Sequence, residues 1–133
     1  MEKITILVFG NMLVREDSLP PRLLMHLRNT FPSIEFKEFD PNEDLQKEGE
    51  KLNIIDTVVG IKKVTLIKNV DMIKAGKIYS LHDFDLGQNL KLFKKIGWLK
   101  EINIFGVPQN YSFSKALHEL KELIKSSLLS KSD

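Results

Sequence analysis

Short apolar runs rich in β-branched residues alternate along this chain with segments of helical periodicity, and that alternation restricts the fold more than any other feature. Residues 3–9 carry the run Ile4-Thr5-Ile6-Leu7-Val8-Phe9, which stops at Gly10-Asn11. This is the pattern of a strand buried on both faces. Pro20 and Pro21 suit the first turn of a helix, where a missing amide donor costs little. Leu23, Leu24, Leu27 and Phe31 follow at helical spacing and stop before Pro32. Residues 33–39 alternate apolar and polar side chains, as a half-solvated strand at or near a sheet edge does.

Asp40-Pro41-Asn42 reads as a turn, and 42–49 is polar without a defined period. The run 52–59 is another buried strand. Residues 63–67 follow it too closely for a parallel crossover, so that strand is expected to run antiparallel. A loop over 69–81 leads to a helix near 84–96 with Leu86, Leu90, Phe93 and Ile96 on one face and Gly97 as its C-cap. Residues 101–106 make the last strand. A helix over about 113–128 turns Leu117, Leu120, Leu123, Ile124 and Leu128 inward, and the tail 130–133 is expected to fray.

Strands alternating with helices predict an α/β fold: a three-layer αβα sandwich around a five-stranded, mostly parallel, twisted sheet with one antiparallel strand. No repeat or linker divides the chain, so residues 1–133 are read as a single domain. At 133 residues such a domain buries a core without staples.

Composition narrows the function classes. A net charge of +2, with lysines interleaved among acids, describes a mixed solvated surface rather than a nucleic-acid footprint. Cysteine is absent, which excludes disulfides, thiolate metal sites and a cysteine nucleophile. No run approaches the ~18–20 apolar residues that cross a bilayer, and the N-terminal run is too short for a secretory signal. A cytoplasmic protein without membrane insertion is the expectation.

The residues able to carry chemistry lie at element ends. Asp17 follows the Gly10 turn, Asp56 closes the run Leu52-Asn53-Ile54-Ile55-Asp56, and His82 stands in Ser80-Leu81-His82-Asp83, just ahead of a helix. Sites in open α/β sheets form at the carboxyl ends of strands, where these three segments can meet. Two carboxylates and an imidazole with open positions suit a borderline divalent metal. Each residue also has a plain reading: Asp17 as a helix cap, Asp56 as a turn residue, His82 as a surface group. Glu16, beside Asp17, is the substitute if the register slips by one. His26 and His118 fall within helices and read as surface or boundary residues. Asp40 with Glu43 or Asp44 could serve acid–base work, although turns collect such residues for solubility.

Other chemistries fit poorly. Gly10 has no glycine companions at phosphate-binding spacing, and no Gly-x-Ser-x-Gly elbow exists. A phosphoacceptor receiver domain would need acids directly after the first strand and a lysine after the last. This chain has Gly10-Asn11 and Val107-Pro108 there.

In order along nearly the whole chain, four segments resemble the hydrogenase maturation proteases. These are the endopeptidases that trim the C-terminus of the large subunit of nickel–iron hydrogenases after nickel insertion. The segments are Gly10-Asn11-Met12-Leu13 leading to the pair Glu16-Asp17, Ile54-Ile55-Asp56, Ser80-Leu81-His82-Asp83, and Ile104-Phe105-Gly106-Val107-Pro108. The resemblance implies that Asp17, Asp56 and His82 are metal ligands, and that Asp17 and Asp40 hold the family's catalytic acidic positions. It implies nickel carried by the precursor as the recognised metal, with zinc or cadmium able to occupy the site in isolation. The implied partner is the precursor large subunit, and the protein itself is expected to be a monomer. An alternative is a non-proteolytic, metal-binding maturation partner of a metalloenzyme precursor. The chain departs from the family where Ser18-Leu19-Pro20 replaces glycine after the acidic pair, and where Asp40-Pro41-Asn42-Glu43 replaces an Asp-Gly-Gly run.

Overall fold

The computed structural model describes residues 3–14, 18–39, 44–72, 80–81 and 84–129. The element order is β1 (Ile4–Val8), α1 (Leu19–Thr30), β2 (Ile34–Glu38), a 3-10 turn (Leu45–Glu48), β3 (Lys51–Val59), β4 (Thr65–Ile67), a second 3-10 turn (Val70–Met72), β5 (Ser80–Leu81), α2 (Phe84–Lys95), β6 (Glu101–Pro108) and α3 (Phe113–Ile124), which ends in a π-helical turn over Lys125–Leu129. Five strands lie in the order β2-β1-β3-β6-β4, and the two-residue β5 joins β3. β1 pairs in parallel with β2 and β3, and β3 with β6, whereas β4 runs antiparallel to β6 and β5 antiparallel to β3.

The helices divide between the two faces because the strands present apolar side chains to both. On one face α1 and α3 cover Ile6, Val8, Ile55, Phe105 and Val107 through Leu23, Leu27, Ala116 and Leu120. On the other, Leu90 of α2 and Leu45 and Val70 of the 3-10 turns lie over Leu7, Leu52, Ile54 and Ile104. The expected three-layer arrangement therefore holds. Each fully buried side chain of this size contributes about 1.5–3 kcal/mol, so the two clusters account for the layering without staples.

Three local expectations are corrected. The strand after β3 is antiparallel as expected, but β6 stands between it and β3. β6 is buried along nearly its whole length and takes the inner position, while the short, half-buried β4 takes the edge. The span expected as a loop over 69–81 holds a 3-10 turn and β5. Ile96 is 61% exposed rather than inward, because α2 closes one residue before it. Gly97, at φ +82°, donates to Lys94 O, and Trp98 donates to Phe93 O, each at 3.0 Å. This is a Schellman closure, and the Trp98 and Phe93 rings pack edge-on at 5.3 Å across it.

β4 is tied to α3 by a polar clip. Glu119 Oε1 accepts the Val64 amide at 3.0 Å, and the Tyr111 hydroxyl donates to both Glu119 oxygens at 2.9 Å. Desolvation, then the hydrogen bond to Glu119 and its charge, raise the Tyr111 phenol above the ordinary 10.0. The unfolded phenol therefore releases its proton first, and stability should fall as pH rises above 10. Chemical denaturation of Tyr111→Phe should show a shallower loss over that alkaline window than the parent chain. An identical slope would remove the clip as its source.

Candidate functional site

The chain leaves β1 toward β2 on one side and later returns to lay β3 on the other. The α1 connection crosses one face and the Leu45 turn the other. The β1/β3 boundary is thus the topological switch point, where a crevice opens at the carboxyl ends of the strands.

Gly10 ends β1 with φ +148°, a backbone region that side chains with a Cβ rarely adopt. Asn11 then folds the turn: its Oδ1 accepts the Leu13 amide at 2.9 Å, and its carbonyl accepts the Val14 amide at 3.0 Å. This Asx arrangement explains the Gly-Asn pair structurally. It also leaves Met12 and Leu13, 58% and 93% exposed, standing on the rim.

Asp56 is 1% exposed and sits at a joint in the sheet. Below it, β1 pairs with β3 at Ile54 and Ile55, and the Phe9 amide continues to Ile55 O at 2.9 Å. Above it, the partner on that side becomes β5, with Leu81 opposite Val58. Asp56 and Thr57 therefore lie where a parallel neighbour gives way to an antiparallel one. Successive strand residues alternate between faces, and Leu52, Ile54 and Val58 face α2, so Asp56 points to that face too. Opposite it on β6 is Gly106. A Cβ there would stand 2.6 Å from Val58 Cγ2, so glycine is the residue that lets β3 and β6 meet beside the carboxylate. A carboxylate this deep keeps its charge only where something compensates its lost hydration.

Of the site residues expected from the sequence, Asp56 is the one placed. Asp17, Glu16, Asp40 and His82 lie outside the described residues. Their described neighbours are Val14 and Ser18 around the acidic pair, Phe39 before Asp40, and Leu81 before His82. Phe39 donates its amide to Val8 O at 2.9 Å, and Leu81 pairs two residues from Asp56. All three segments thus border the carboxyl rim near the switch point. Among the described residues no group of three His, Cys, Asp or Glu side chains could hold a metal.

The plain readings hold for several others. His26 and His118 are exposed, and the His26 ring packs edge-on against Phe113 at 5.2 Å. Asp44 caps the first 3-10 turn by accepting the Gln46 amide at 3.1 Å. The sequence reading missed Gly106 as the residue facing Asp56. It also missed an Asn53–Asn103 pair in β3 and β6, although both stand as a lone amide between apolar residues, Leu52-Asn53-Ile54 and Ile102-Asn103-Ile104.

Compared with known proteins, the chain matches no family model, no curated protein and no solved structure.

Proposed function

We propose that this chain is a nickel-guided endopeptidase that removes the C-terminal extension of the precursor large subunit of a nickel–iron hydrogenase. The observation that carries the reading is Asp56: a carboxylate 1% exposed inside the central strand β3, three residues before its carboxyl end, beside the switch point. It stands where the resemblance requires a metal ligand. The four ordered segments support it, as does the convergence of the chain before Asp17 and before His82 on the same rim. In this reading Asp56 and Asp17 offer anionic oxygens and His82 an imidazole nitrogen to nickel already seated in the precursor. Cleavage then waits for metal loading, because the metal completes the recognition surface. The nickel polarises the scissile carbonyl or fixes the peptide beside the attacking water. The apolar Met12-Leu13 turn at this rim is surface that an extended peptide segment would cover.

The test is incubation of the protein with nickel-loaded and nickel-free precursor, followed by the mass of the large subunit. Loss of the C-terminal extension from the loaded precursor alone is the expected result. Binding without any mass change would replace the protease by the non-proteolytic maturation partner, a reading that the Asp40-Pro41-Asn42 departure favours.

A further inference from the structure

The opposite end of the sheet holds a cavity of about 490 Å³ at the amino ends of β1, β3 and β6, within the size range of small-molecule sites. Its inner surface is polar in a directed way. Asn53 Nδ2 donates to Thr5 O at 3.2 Å, and Asn103 Nδ2 donates to Asn53 Oδ1 at 2.9 Å. The direction of this relay is set at its start, because a backbone carbonyl accepts only. Turning either amide over would set oxygen against oxygen. The relay therefore ends on Asn103 Oδ1, an acceptor on a residue 5% exposed that finds no partner among the described residues. Leaving such a group unpaired costs about 1–3 kcal/mol.

The mouth of the cavity is cationic. Lys3, Lys51 and Lys68 line it. Of the two lining carboxylates among the described residues, Glu48 is held through both oxygens by Lys37 at 3.0 Å, which leaves Glu101 against the three ammonium groups. Ile4, Leu7 and Leu52 form apolar wall, and Ser127 and Leu128 come from the π-helical turn that ends α3; π turns recur at functional sites.

We propose that this cavity binds a small organic anion that also carries an O–H or N–H donor. The anion faces the lysines, and the donor ends the amide relay on Asn103 Oδ1. The site lies about 10 Å along β3 from Asp56, three residues away at strand rise, and it does not depend on the processing reading.

The test uses the full chain and amide NMR spectra, with lactate as probe and propionate as the carboxylate without a hydroxyl. Lactate should give saturable shifts at residues 51–53, 101–103 and 127–128, and bind about tenfold tighter than propionate, as one hydrogen bond to a buried acceptor implies. Lys51→Ala should weaken both anions, and Asn103→Leu should remove the advantage of lactate. Absence of saturable shifts, equal affinity for the two anions, or an advantage that survives Asn103→Leu would overturn the proposal. Should Asn103→Leu fail to fold, the contrast between lactate and propionate on the parent chain, with Lys51→Ala, decides alone.

Discussion

Asp56→Asn is expected to lower processing of a nickel-loaded precursor by about a hundredfold or more in a chain that still folds. Loss of a residue that merely supports a ligand costs about 10–100-fold in metal affinity or activity, and loss of a direct carboxylate ligand should cost no less. Urea denaturation beside the processing assay separates lost ligation from lost stability, because breaking the contacts of a carboxylate at 1% exposure costs up to about 3–5 kcal/mol. His82→Ala should show the same loss of processing. Undiminished cleavage by either variant would remove the ligand assignment.

Much of the fold was legible because its determinants are local. Pro20-Pro21 and the Leu23, Leu24, Leu27, Phe31 spacing place α1, and all four apolar residues are buried. The alternation over residues 33–39 marks β2 as an edge strand, and β2 ends the sheet. What stayed hidden is pairing between distant segments. The tight link after β3 implies a reversal of direction, but it cannot show that β6, some forty residues on, enters between β3 and β4. β5 is two residues long, shorter than any period a pattern can display. Asn53 and Asn103 become a pair only through their register in neighbouring strands. For the site, the burial of Asp56 in a central strand was legible from the apolar run before it, but β3 runs on to Val59 rather than closing at Asp56. The joint beneath it was not, because it depends on β1 stopping and β5 starting on the same side of β3.

The largest effect on stability near the site is expected from Gly106→Ala, and its cause can be isolated. Gly106 faces Asp56 across the β3–β6 ladder. A methyl there would meet Val58 Cγ2 at 2.6 Å and Val58 Cβ at 3.1 Å, with Ile61 Cδ1 at 3.4 Å. Val58 is itself buried, and it branches at the atom that anchors it to the strand. It therefore cannot swing away as a long flexible side chain would. Overpacking of this kind costs about 1–3 kcal/mol. Val58→Ala removes the offending methyl and, by itself, destabilises by about 1–2 kcal/mol through the buried groups lost. If the clash is the cause, the double variant should be more stable than the sum of the two losses predicts, by about 1 kcal/mol or more, as contacting residues show in such cycles. Strict additivity in urea denaturation would mean that Gly106 is required for the strand backbone rather than for the space beside Val58. Because the carboxylate shares that face of the ladder, Gly106→Ala should also reduce processing, and Val58→Ala in the same chain should restore part of it. Rescue of stability without rescue of cleavage would place the damage at Asp56 itself, in the direction its carboxylate points rather than in the packing that carries it.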